Sequence, residues 1–148
     1  VILPSLEGLE RDIQKNGLRS IYLILGAEPY QCRAAIKLLR ARAISAEAEA
    51  FDYSEFSAGD VSIDEIIKAA NTFPMVSPKR LTLVNETEKL KDYEQDALLG
   101  SLTALSHRSI LILYATELDR RKKFYKNLRQ KYCVAELNKL KGVALERW

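Results

Sequence analysis

Histidine occurs once in this sequence and cysteine twice, which leaves little material for metal or nucleophile chemistry. The lone His107 stands in the segment before an apolar run, where a histidine reads as a surface residue. Cys32 and Cys133 lie far apart, lack metal-ligand spacing and make no motif. Both read as ordinary intracellular thiols. No Gly-x-Ser-x-Gly elbow is present. The carboxylates are scattered, and spacing singles out no pair for acid–base work. The longest apolar run, Ile110–Ala115, is far short of the roughly 20 residues of a membrane span. The opening Val1-Ile2-Leu3-Pro4 has neither the basic nor the apolar region of a signal peptide. It also lacks an initiator Met, so a trimmed, soluble, cytoplasmic domain is expected, with no membrane partner. Charge of one sign is not in excess either: 23 basic and 20 acidic residues leave a net +3, too weak to argue for nucleic acid.

What is present is a globular composition, 47% hydrophobic and 29% charged, without repeats or low-complexity segments. A chain of 148 residues makes one domain that buries roughly two thirds of its unfolded surface. Apolar residues at helical spacing alternate with short apolar runs. Leu6, Leu9 and Ile13 mark a first helix opened by Pro4-Ser5 and stopped by Asn16-Gly17. Ser20–Leu25 reads as a strand. Pro29 opens a helix that carries Cys32, Ala35, Ile36, Leu39 and Ala43 on one face. Phe51–Phe56 alternates aromatic and polar residues and reads as a second strand. Ser62-x-x-Glu65 has the form of a capping box before Ile63, Ile66, Ile67 and Ala70. Asn71–Pro78 breaks that helix with two prolines, and Arg80–Val84 is a third strand.

Asp92 then begins a helix that buries Leu98, Leu99, Leu102 and Leu105. The unbroken apolarity of Ser109–Ala115 predicts a central strand covered on both faces. Asp119 is expected to cap a basic helix, Val134–Leu137 to form a fifth strand, and Ala144–Trp148 to start another helix. Five strands separated by helices imply an α/β fold: a three-layer, parallel, five-stranded sheet, because parallel neighbours need crossovers. Residues 1–148 form a single domain in this reading.

In such folds the first strand-to-helix turn is the usual phosphate site. A P-loop starting at Gly26 would need Gly at 31, Lys at 32 and Ser or Thr at 33. The sequence has Gln31, Cys32 and Arg33, and Glu28 adds a negative charge beside the helix N-terminus. Asn85 stands where a magnesium-binding aspartate would be expected. Nucleotide hydrolysis is therefore not expected, and neither is a cofactor or a metal.

Several segments, in order, resemble one family. Tyr22–Tyr30 (YLILGAEPY) resembles the first strand and degenerate phosphate turn of bacterial DNA polymerase III delta subunits. Ala69–Pro74 with Lys79-Arg80-Leu81 is similar to their passage from a helix into the third strand. Glu88-Lys89-Leu90, Leu118–Lys123 and Leu145–Trp148 resemble later stretches, the last being the junction into a following domain. The resemblance covers residues 20–148. It implies a RecA/AAA+-like P-loop NTPase fold with a degenerate nucleotide site. It also implies a non-catalytic part of the polymerase holoenzyme that binds the ring-shaped beta sliding clamp and helps open it for loading onto DNA. By the same likeness, lid and collar domains that would join other clamp-loader subunits lie beyond this chain, and DNA is a partner of the assembled complex.

The family contacts the clamp through a loop that matches Thr72–Val76 here, typically with a Leu and a Phe. Phe73 and Met75 would be the pair, flanking Pro74, which departs from the usual residue types. The residues support the same reading independently. Phe73, Pro74, Met75 and Val76 are an apolar cluster in a proline-broken loop. A rigid Phe and an adaptable Met suit pocket filling. The plain alternative is that they tuck under the sheet as loop anchors.

Arg120, Arg121, Lys122, Lys123, Lys126, Arg129 and Lys131 crowd the expected basic helix 119–131, with Phe124, Tyr125 and Leu128 on its buried side. They make either a solvated face or a contact for DNA phosphates or an acidic partner, with Arg121, Lys122, Lys126 and Arg129 as candidates. A nucleic-acid-binding domain acting through this helix is the competing function.

Overall fold

The computed structural model describes residues 1–137. The helix expected from Ala144, and the resemblance at Leu145–Trp148, lie outside the described residues. In chain order the elements are β1 (Ile2–Leu3), α1 (Leu6–Asn16), β2 (Ile21–Leu25), α2 (Pro29–Ala43), a one-turn α3 (Glu49–Asp52), β3 (Tyr53–Ser57), α4 (Ile63–Ala70), β4 (Arg80–Asn85), α5 (Asp92–Leu102), β5 (Ser109–Ala115), α6 (Lys123–Lys131) and β6 (Cys133–Glu136).

The strands form one parallel sheet in the order β1-β6-β2-β5-β4-β3. The α/β, three-layer parallel architecture is as expected, but there are six strands rather than five. The extra strand is β1, whose two residues pair with Val134 and Ala135 of β6. A two-residue strand next to Pro4 has no periodicity of its own. It exists because β6 offers it an edge.

Strand residues alternate between two cores, as the pleat requires. Tyr22 and Ile24 of β2, Leu81 and Leu83 of β4, and Ile110 and Ile112 of β5 face α1 and α2. Leu23, Val84, Leu111, Leu113 and Val134 face α4, α5 and α6. β5 lies between β2 and β4, covered on both sides. Its unbroken apolar run is what that position demands.

Local signals act where the sequence put them. Ser5 Oγ accepts the Gly8 N–H (3.0 Å), Gly17 ends α1 at φ 77°, and Ser62 Oγ accepts the Glu65 N–H (3.3 Å). Two boundary expectations fail. Phe51 and Asp52 are helical, and the strand runs from Tyr53 to Ser57. Asp119 does not cap the basic helix. Its carboxylate accepts the Arg121 N–H (3.0 Å) in a preceding turn, and α6 starts at Lys123 with Lys122 at the cap. Leu99 and Leu105 are half-buried rather than buried, and His107 is exposed.

Parallel strands place all their carboxyl ends at one edge of the sheet. The turn after β2 is there, against the chain leaving β6: Leu137 N–H donates to Leu25 O (2.7 Å). The approach is so close that a Cβ on Gly26 would stand 1.9 Å from the Leu137 carbonyl oxygen. Gly26→Ala therefore forces the two segments apart. A loss of about 1–3 kcal/mol is expected in chemical denaturation, typical of overpacking; an unchanged midpoint would mean that the segment after β6 does not close over this turn.

Candidate functional site

Two regions stand out, at opposite ends of the sheet. The first is the turn after β2, where a phosphate would sit. Cys32, in the place of a P-loop lysine, is fully buried, and its thiol donates to Gly26 O (3.7 Å). Burial pushes this thiol's pKa up, with a bond to Tyr114 opposing, so it is a packing group rather than a reactive one. Burial likewise pushes Cys133 up to about 11. One N–H of the α2 N-terminus is taken by its own chain, since the Glu28 carboxylate accepts the Tyr30 N–H (3.0 Å).

Gln31 is half-buried and Arg33 exposed. Asn85 donates to Glu55 Oε2 (3.0 Å), and the next residue, Glu86, has a left-handed backbone (φ 55°) and pairs with Lys89 Nζ (2.6 Å). A cleft of about 750 Å³ opens beside these groups, with Arg33 and Lys37 on α2 facing Glu55, Asn85, Glu86 and Glu88. It offers no hydroxyl–aspartate pair in P-loop positions for a magnesium ion, and its carboxylates oppose a triphosphate. The residues do not fit a nucleotide.

The second region is the loop between α4 and β4. It holds the most exposed apolar cluster in the described chain: Phe73 is 69% exposed, Met75 77% and Val76 55%, with Pro74 half-buried between them. The alternative that these side chains tuck under the sheet does not describe this loop. Phe51, on α3, is also exposed at 52%.

The backbone is tied down on both sides of Phe73 and Pro74. A helix leaves its last four carbonyls without helical partners. In α4 all four find side chains: Ile67 O accepts from Asn71 Nδ2 (2.9 Å), Lys68 O from Thr72 Oγ1 (2.9 Å), Ala69 O from Arg80 Nε (2.9 Å) and Ala70 O from Ser109 Oγ (2.6 Å). Beyond Pro74, three successive N–H groups converge on one carboxylate. Asp52 Oδ1 accepts from Met75 N (2.6 Å), and Oδ2 accepts from Val76 N (2.8 Å) and Ser77 N (2.5 Å).

Asp52 is fully buried. Burial alone would raise its pKa. The three N–H groups and the nearby Arg80 charge outweigh burial and hold it below the ordinary carboxylate value. Arg80 is buried too, and it donates to Phe51 O (2.9 Å) and to Ser54 Oγ. Sequence reasoning singled out the loop but not Asp52 and Arg80 beneath it. The available signal was an Asp placed between two aromatics in an otherwise alternating run.

The basic stretch divides. Lys122 Nζ pairs with Asp92 (2.5 Å), Lys123 Nζ with Asp96 (3.2 Å), and Arg121 Nε with Asp119 (3.1 Å). The first two pairs tie α6 to α5. Lys126 and Arg129 are exposed, with no acidic partner at ion-pair distance among the described residues. The candidates thus do not form one uncompensated patch. Among the described residues no helix is long and apolar enough to cross a membrane, and no cluster of His, Cys, Asp and Glu could hold a metal.

Comparisons with known proteins agree on one relationship. The family described as DNA polymerase III, delta subunit, matches residues 22–138. The DNA polymerase III subunit delta of Bacillus subtilis is 25% identical over 140 residues, covering 88% of this chain and 40% of the relative. The chain therefore spans about two fifths of that protein's length. Among solved structures, the Bacillus subtilis DNA clamp loader delta protein superposes with a TM-score of 0.82 at 23% identity, over 91% of this chain and 43% of that one. A DNA polymerase III gamma subunit-related protein from Thermotoga maritima superposes at 0.64 with 19% identity, over 94% of this chain and 47% of that one. At such identities these likenesses establish the fold.

Two outcomes are expected. Isothermal calorimetry with ATP and magnesium should give no heat of binding; a micromolar dissociation constant would overturn the reading of the β2 turn. The second concerns pH. A carboxylate whose folded pKa is depressed contributes its stability above the unfolded value and loses it as pH falls through the folded one. The stability difference between this chain and Asp52→Asn should be constant from neutral pH down to about the ordinary value of 3.8, then shrink below it. Denaturation curves in which the gap closes already between pH 7 and pH 5 would contradict the depressed value.

Proposed function

The chain belongs to the DNA polymerase III delta-subunit family, and from that premise we propose that it binds the beta sliding clamp through residues 73–76 and helps hold the ring open for loading onto DNA. The observation that carries the proposal is the display of Phe73, Met75 and Val76 on a hydrogen-bonded loop. A cluster of exposed apolar side chains on fixed backbone is the form of an interface anchor: it has area to bury and little order to acquire. The chain acts here without chemistry of its own, as a binding part of the holoenzyme. Assembly with other clamp-loader subunits, and DNA contact in the complex, belong to the whole cytoplasmic assembly.

The competing reading, nucleic-acid binding through the basic helix, has less support. Lys122 and Lys123 lie beside Asp92 and Asp96 in exposed ion pairs, which offset part of the positive charge a phosphate would meet.

Truncating a buried interface anchor costs about 2–4 kcal/mol, or roughly 30- to 1000-fold in affinity. Phe73→Ala combined with Met75→Ala should abolish clamp binding in a pull-down or surface-plasmon assay, leave the melting temperature nearly unchanged, and do so at moderate salt, where a phosphate contact would already be weak. A large fall in stability with binding retained by the folded fraction would identify the pair as core and move the functional surface elsewhere.

A further inference from the structure

We propose that Asp52 is a positioning residue for the clamp-binding loop, holding residues 75–77 so that the anchors point into solvent. This inference rests on the reading of the loop as the clamp contact. It begins from a mismatch between the loop's composition and its behaviour. Phe73, Pro74, Met75 and Val76 carry enough apolar surface to collapse onto the sheet, and yet three of the four are more than half exposed. Their own side chains therefore do not hold the loop in place.

The backbone does. Met75, Val76 and Ser77 turn three consecutive N–H groups toward the Asp52 carboxylate, and this concave arrangement of amides favours an anion. Bonds from N–H to an ionised carboxylate are among the stronger hydrogen bonds, and the carboxylate that accepts these is fully buried. Asp52 cannot drift, because it is fully buried at the junction of α3 and β3. Its neighbour Arg80 bonds the carbonyls of Phe51 and Ala69, so the residue before Asp52 and the end of α4 are gripped by one guanidinium. The carboxylate, the loop and both flanking elements thus form one unit. Within it, Asp52 touches only the backbone of the anchor residues and acts through them.

The consequence for binding is a matter of populations. If the displayed conformation is only fractionally occupied, apparent affinity falls by that fraction. Asparagine at 52 keeps the shape but replaces one acceptor oxygen with an NH₂ that faces N–H donors. The loop should then sample other conformations.

The test compares the 148-residue chain with Asp52→Asn and Asp12→Asn. Asp12 is another buried carboxylate, bonded to Arg19 and Asn16 on α1 and not to the loop, and it controls for general destabilisation. Amide resonances and solvent exchange are read by NMR, and affinity for the purified clamp is corrected for the folded fraction. In Asp52→Asn the amides of residues 75–77 should lose their carboxylate-bonded shifts and exchange at least about tenfold faster, with β2 and β5 amides changing no more than the loss of global stability accounts for, and affinity should fall by roughly tenfold or more. Asp12→Asn should lower the melting temperature and leave both loop readouts as they were.

Should Asp52→Asn fail to fold, Ser77→Pro removes one of the three donors and leaves the carboxylate and the Phe73 and Met75 anchors unaltered, and a smaller loss in the same direction is expected. Clamp affinity equal to that of the unaltered chain in these variants overturns the inference while leaving the functional reading intact. An equal loss in Asp12→Asn also overturns it. An unaltered chain that does not bind the clamp overturns the functional reading, and this inference with it.

Discussion

A single buried carboxylate organises one end of this molecule. Asp52 accepts three consecutive backbone N–H groups from a loop whose side chains face water. Burying an anion without partners is prohibitive, and burying one with three donors and a cation nearby is not. The same cation, Arg80, closes the carboxyl end of α4 and holds Phe51 O. Each group compensates another. Removing any one leaves buried partners unsatisfied, and this couples α3, the end of α4, the loop and the start of β4.

The opposite end of the sheet shows a strand–turn–helix joint closed by its own side chains and backbone. The turn after β2 keeps the glycine and the strand–turn–helix path of a phosphate site. At the position where a lysine would reach toward phosphate, Cys32 points inward and bonds Gly26 O. Glu28 takes up the free N–H of the helix start. The backbone of Leu137 covers the glycine, as its 1.9 Å approach to a notional Cβ demonstrates. The turn is a packing joint between β2, α2 and the chain after β6. The sheet needs that joint whether or not a ligand is ever bound.

Most of the fold was legible because its signals are local or periodic. Ser62, Pro29 and Gly17 mark boundaries by their own backbone chemistry, and the apolar run of β5 reports burial on both faces. What escaped is tertiary. β1 exists only through pairing with β6, over 130 residues away in sequence. Phe51 and Asp52 extend an alternating aromatic pattern that fits a strand, but the buried acceptor demanded by the distant loop places Asp52 at the end of a helical turn. Asp119 has the residue type of a helix cap, and a nearer donor, Arg121 N, takes it. The candidate loop was legible as an apolar cluster in a proline-broken segment. Its exposure was not, because composition cannot distinguish a cluster that folds under the sheet from one held away from it.

That distinction has a physical basis in what a loop can use to become ordered. An apolar segment normally gains order by burying its side chains, at about 25 cal/mol per Å². A segment that must keep those side chains available for a partner cannot spend them on its own fold, so its order must come from backbone hydrogen bonds. Backbone bonds stabilise such a loop only if the acceptor is itself fixed and shielded from water, since an exposed carboxylate would exchange the three N–H groups for solvent at little net gain. The acceptor must therefore lie inside the domain, which in turn requires a buried positive charge near it and a full set of acceptors for that charge. Asp52, Arg80, Ser54 and the carbonyls of Phe51 and Ala69 meet these conditions in sequence. The polar network beneath the loop is thus the counterpart of the apolar surface above it: the more hydrophobic the displayed face, the more completely polar groups must hold its backbone.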